Sequence, residues 1–116
     1  MKTDFPDFAS FYPYYLSEHR NGTCRALHFA GTSAVLALAV LSATVGPWWL
    51  ILLLGPAGYG PAWIGHFFFE KNRPATFDHP FYSLLADFVM YADILRLRVP
   101  LFGDLPQALM EPVAPQ

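Results

Sequence analysis

No aspartate, glutamate, lysine or arginine occurs anywhere between Ala26 and Phe69. Charged residues make up only 14% of the 116-residue chain, against about 25% in ordinary globular domains. A chain so poor in charge cannot cover a water-exposed sphere with polar groups, and its longest uncharged stretch points to a lipid environment. There is a single cysteine, Cys24, which excludes an internal disulfide and a cysteine-built zinc ribbon. The net charge of −2 is small and mixed in sign, so nucleic acid is not an expected partner. The HxxxH and HxxHH sets of membrane desaturases, an HxD facial-triad motif, a glycine-rich phosphate loop and a GxSxG elbow are all missing. Nucleotide chemistry and serine hydrolysis therefore have no support. The first fifteen residues carry two aspartates and no leucine-rich core, so they do not read as a cleaved signal peptide.

What is present is apolar. Residues 5–18 are rich in Phe and Tyr, and Phe8, Phe11, Tyr12, Tyr15 and Leu16 share a face at helical spacing. The expectation is a short amphipathic helix at the membrane–water boundary. Asn21 or Thr23 can cap a helix starting near Cys24 and running to about Val45, long enough to cross about 30 Å of hydrocarbon. Gly31, Ser33, Ala34 and Ala37 make one side of it small, which suits close helix packing or self-association. Gly46-Pro47 breaks the helix, and Trp48 and Trp49 follow as interfacial anchors. A second apolar segment carries GPAGYGP at residues 55–61, read as a break in the helix that faces the protein interior or lines a pocket, with a fresh helix from Pro61 to about Asn72. A last helix is expected over about 80–98, capped by Asp78 or His79 with Pro80 in its first turn.

These elements describe an all-α fold: a small integral membrane helical bundle with a transmembrane hairpin and flanking interfacial helices. Residues 1–99 form the membrane-embedded domain, and residues 100–116, with four prolines, an extended tail. Arg20, Arg25, Lys71 and Arg73 flank the outer ends of the hairpin while its tip carries no charge, which puts both termini in the cytoplasm.

All four histidines lie around the mouths of the uncharged stretch. His28 and Gly46 are 18 positions apart and Pro47 and His66 are 19, so an antiparallel hairpin sets the two rings at similar depth. His19 and His79 stand just outside the same mouth. Convergence on one metal ion and four separate interfacial histidines are the two readings this pattern leaves open. Glu70, four residues after His66, can join the site or pair with Lys71 or Arg73. Lys71 and Arg73 can hold a carboxylate head group or serve as membrane anchors, and Asp87 and Asp93 can orient an imidazole. Cys24, one turn before His28, reads as a packing residue.

The blocks YLSEHRNGTCRALHFAGT (residues 15–32) and GHFFFEKNRPATFDHPFYSLLADFVM (residues 65–90) resemble the 2-hydroxy fatty acid dioxygenase family over roughly residues 8–96. The resemblance implies iron(II)-dependent α-oxidation in a membrane, in which a 2-hydroxy fatty acid and O2 give the acid one carbon shorter plus CO2. It places the metal-associated histidines at His19, His28, His66 and His79, and suggests a bacterial inner-membrane location. Gly22 and Cys24 stand where relatives often carry Pro and Asn. Two other functions fit the residues: a haem-binding or electron-transfer membrane protein using His28 and His66, and a metal-free membrane interaction protein.

Overall fold

The computed structural model of the protein describes residues 5–111. Among these the secondary structure is helical throughout, with no strand. The first four residues, and the tail beyond Glu111, lie outside the described residues.

Helix α1 spans Phe8–Ser17, started by Asp7, whose carboxylate accepts from the Ser10 amide at 2.8 Å. Pro13 falls inside this helix. Helix α2 runs Gly22–Thr44, capped by Asn21, whose Oδ1 accepts from the Thr23 and Cys24 amides. A capping side chain meets N–H groups that no helical carbonyl can reach, so one short polar residue decides where 23 residues of helix begin. The chain reverses at Gly46, whose φ of +56° is open to glycine without strain.

The return arm differs from its expected form. There is no break at residues 55–61: the chain is continuously helical from Trp48 to Glu70, and only its pitch changes. It is 3₁₀ over Trp48–Leu53, α over helix α3 (Leu54–Ile64) and π over Gly65–Glu70. Pro56 sits in the first turn of α3, where an amide hydrogen has no intrahelical partner to lose, so it costs the helix little. Pro61 does remove one bond inside α3, and the wide turn that follows absorbs the misfit. Lys71 ends the arm in the left-handed conformation, φ 58°.

The two arms pack antiparallel. A Cβ on Gly65 would meet Cys24, one on Gly31 would meet the Gly58 carbonyl at 3.0 Å, and Ser42 reaches the Trp48 carbonyl. Of the small residues expected to face a partner helix, Gly31 is the one that lets α3 approach, while Ser33 bonds the Tyr91 hydroxyl and Ala37 is exposed. Among the described residues α2 is the one helix long and apolar enough to cross a membrane.

Helix α4 covers Pro80–Leu95, shorter than expected, with Pro80 at its start and His79 at the cap position but making no side-chain cap bond. The core lies between α1 and α4: Phe11, Tyr15, Leu16, Ala86, Met90 and Ile94 are all buried there. Helix α1 is therefore a packed element whose aromatic face is covered by protein, where a boundary position was expected. The described part of the tail also departs from an extended form. Val99 and Leu105 are buried, and residues Gln107–Met110 form a short helix, α5, that packs on α1. Arg25 explains the attachment. It is 0% exposed and donates to the carbonyls of His19, Arg20, Pro100 and Gly103. A guanidinium has five donors in a fixed fork, and four carbonyls from two loops satisfy it without a carboxylate. Its expected role as a charge flanking the membrane is thus replaced by a buried clamp.

Candidate metal centre

The antiparallel register of the arms brings His28 of α2 beside His66 of the π turn, and the short link between α1 and α2 swings His19 onto both. Ring centroids are 4.4 Å apart for His19 and His28, 4.5 Å for His19 and His66, and 4.9 Å for His28 and His66. All three rings are buried. With the Cys24 thiol they form a group whose donor atoms lie within 4.8 Å of one another and could hold a metal ion.

The hydrogen bonds decide which nitrogens are free. His19 Nδ1 lies 2.6 Å from the Tyr15 carbonyl and His28 Nδ1 lies 2.9 Å from the Cys24 carbonyl. A carbonyl only accepts, so each Nδ1 carries the hydrogen and each Nε2 presents a lone pair. His66 Nδ1 lies 2.7 Å from Asn72 Oδ1, and Asn72 Nδ2 donates to the Glu18 carbonyl at 3.0 Å, which holds the amide with its oxygen toward the ring. All three imidazoles are therefore the same tautomer, oriented by partners behind them, as metal-binding histidines characteristically are.

The consequence is an electrostatic conflict that a cation relieves. His19 Nε2 and His28 Nε2 are 3.1 Å apart, and neither carries a hydrogen to share. Burial, reinforced by the neighbouring imidazoles, keeps the His19 pKa well below its ordinary value, so a proton does not bridge them near neutral pH. Two nitrogens each about 2.1 Å from one cation stand about 3.0 to 3.4 Å apart in octahedral or tetrahedral geometry. The observed spacing falls within that range, so the residues fit a transition-metal ion.

A small cavity lies against the cluster, lined in part by Tyr15, Trp63, Ser83 and Asp87 together with the three histidines. The Tyr15 hydroxyl donates to Asp87, and burial pushes the Asp87 carboxyl up to about 6. Asp87, His28, Tyr59 and Ala62 also line a second space, an apolar cleft of about 370 Å³ bounded by Val35, Leu54, Gly55, Gly58, Leu84 and Phe88. The pocket expected at residues 55–61 is thus present, although the helix there is unbroken.

The other expected site residues stand apart. His79 is outside the donor group and packs against the rings of Phe5, Phe11 and Tyr14. Glu70 accepts from the Asn21 amide. Lys71 and Arg73 are exposed, and Arg73 pairs with Asp78 at 3.4 Å over the face of Phe77. Asp93 accepts from Tyr12 and Arg96, away from the cluster. Cys24, read from sequence as packing, has its sulfur 3.7 Å from His28 Nδ1. Asn72 and Ser83 were not singled out at all. The spacings Cys24–His28 and Ser83–Asp87, each one helical turn, were the available signals.

The helices thus bring together three same-tautomer imidazoles and a thiol that could hold a metal ion, with an apolar cleft beside His28. The comparison with known families is more specific: the chain belongs to the family described as 2-hydroxy-palmitic acid dioxygenase Mpo1-like, whose model matches residues 5–99. No curated protein and no solved structure matches the chain.

Proposed function

We propose that this protein is an iron(II)-dependent dioxygenase that carries out α-oxidation of 2-hydroxy fatty acids. The reaction consumes one 2-hydroxy acid and one O2 and yields the acid one carbon shorter, CO2 and water. The substrate supplies all four electrons that O2 takes up, so no second cofactor is needed. The family assignment supports the reaction class. The observation that carries the reading is the trio of Nε2 lone pairs of His19, His28 and His66, locked by their Nδ1 partners around a small cavity, with His28 also bordering the apolar cleft.

Bound there, the metal supplies a redox centre for O2 and a positive charge that a carboxylate and a neighbouring hydroxyl can share. The protein does the rest. Tyr15, Cys24 and Asn72 keep the three rings aimed before metal arrives. The cleft, of a size usual for small-molecule sites, accepts the acyl chain along Val35, Leu54, Leu84 and Phe88. Asp87 and His28 line both spaces, which sets the polar head of the acid beside the imidazoles and its tail in the cleft. The exposed apolar side chains of Trp48, Trp49, Ile51 and Leu52 at the tip support a hairpin immersed in lipid; a bacterial inner membrane with both termini in the cytoplasm is the setting proposed for it.

A haem held between His28 and His66 fits poorly, because His19 Nε2 stands 3.1 Å from His28 Nε2 in the space a macrocycle requires. A metal-free packing role leaves those two lone pairs facing each other without a counterpart. The test is anaerobic reconstitution with iron(II), admission of O2 and product analysis on 2-hydroxypalmitate. Pentadecanoate and CO2 in equal amounts are expected. Unchanged substrate with iron bound overturns the reading.

A further inference from the structure

Ser83 is 1% exposed, and its Oγ is the one buried side-chain polar atom among the described residues that has no hydrogen-bond partner. Its own amide is used, donating to the His79 carbonyl at 2.9 Å, but the hydroxyl does not fold back onto that carbonyl as helical serines commonly do. It lines instead the cavity beside His19, His28 and His66, whose free volume of about 10 Å³ has room for a single oxygen atom. An orphaned hydroxyl is costly, and proteins retain one where something else completes it. Asp87 lies one helical turn further on and lines the same cavity. One of its carboxylate oxygens takes the Tyr15 hydroxyl.

We propose that Ser83 anchors a 2-hydroxy carboxylic acid, its hydroxyl donating to the one substrate carboxylate oxygen that the small cavity admits, while the second oxygen of Asp87, which also borders the cleft, accepts from the substrate's 2-hydroxyl. This deepens the dioxygenase reading and rests on it. A 2-hydroxy acid presents one anionic acceptor and one hydroxyl donor on adjacent carbons. Ser83 and Asp87 present the complementary donor and acceptor from adjacent turns of α4. An ordinary fatty acid satisfies Ser83 alone and leaves the carboxylate of Asp87 unmatched, so the pair selects for the hydroxyl as well as for the acid.

The experiment uses the full chain loaded with zinc(II), a redox-silent ion, so that binding is read without turnover. Affinities for 2-hydroxypalmitate and palmitate are measured by calorimetry for the wild type and for Ser83→Ala, and melting of both proteins is followed without metal or ligand. The wild type is expected to bind the hydroxy acid more tightly than palmitate, and Ser83→Ala to bind it about tenfold more weakly, the loss of one hydrogen bond to a charged group. The same substitution removes an unsatisfied buried hydroxyl, so the ligand-free variant should melt higher, by about 4 °C for a chain of this size. A purely structural serine would give the opposite melting result. Unchanged affinity in Ser83→Ala, or weaker binding together with a lower melting temperature, overturns the assignment of Ser83 while leaving the dioxygenase reading standing. A wild type that binds neither acid overturns both.

Discussion

Replacing Asn72 by alanine tests the structural argument most directly, because Asn72 touches the metal only through what it does to His66. Its Oδ1 receives the His66 Nδ1 hydrogen at 2.7 Å, its Nδ2 reaches the Glu18 carbonyl at 3.0 Å, and its amide returns to the His66 carbonyl at 3.0 Å. Alanine keeps the last bond and loses the other two. His66 is 2% exposed, and alanine offers its ring no acceptor. The ring then has two options. It can retain an unpartnered buried N–H, which costs about 1–3 kcal/mol, or move the hydrogen to Nε2, where it points into the donor group and must be expelled before metal binds. Either route weakens binding by about 10- to 100-fold, the usual effect of removing such a partner. Competition with a colorimetric chelator measures the affinity, and circular dichroism confirms that the helices persist. Metal binding in Asn72→Ala within twofold of the wild type would refute the claim that preset tautomers make this site.

Single alanine substitutions at His19, His28 and His66 are each expected to remove stoichiometric metal, whereas His79→Ala should retain it; elemental analysis of the four purified variants separates a three-histidine centre from a four-histidine one. Gly55 lines the cleft and a Cβ there meets open space, so Gly55→Leu should fold normally and favour shorter 2-hydroxy acids, read as a shift of at least about tenfold in the C10-to-C16 ratio of kcat/KM. Gly65→Ala places a Cβ 3.0 Å from the Cys24 Cα, a backbone contact that cannot rotate away; overpacking of about 1–3 kcal/mol and loss of metal are expected together in thermal melts and chelator titrations. The folded pKa of Asp87, at about 6, exceeds the unfolded value, so between about pH 4 and 6 the native state holds the proton that the unfolded chain has released. Stability from this group is complete below about pH 4 and lost as pH rises through 6, and Asp87→Asn should remove that part of the metal-free protein's pH dependence in melts at a series of pH values.

Much of the architecture is local and was legible. The uncharged stretch, the Asn21 cap and the reversal at Gly46 define α2 and its return arm, since capping and chain reversal depend on a few neighbouring residues. The two long blocks around the histidines, residues 15–32 and 65–90, were sufficient to suggest the family. The misread elements are those whose outcome depended on contacts elsewhere. Residues 55–61 stay helical packed closely on α2, where Gly31 and Val35 meet Gly58, so tertiary packing outweighs the poor propensity of glycine and proline. Helix α1 is amphipathic in either setting, and only α4 decides that its aromatic face is covered by protein.

At the site, the amino-acid order determined that imidazoles would gather at one end of the hairpin, because equal arm lengths put His28 and His66 at the same level. Tertiary structure decided that His19 joins them and His79 does not, that Cys24 lies in the group, and that every Nε2 faces inward. A ring's direction is set by which carbonyl stands behind it, and the acceptor for His66 is held in turn by Glu18, 54 residues from Asn72 along the chain. Helical periodicity specifies which side of a helix a residue occupies. It carries no information about the hydrogen bond that chooses a tautomer, and that bond turns three buried histidines into a place for a cation.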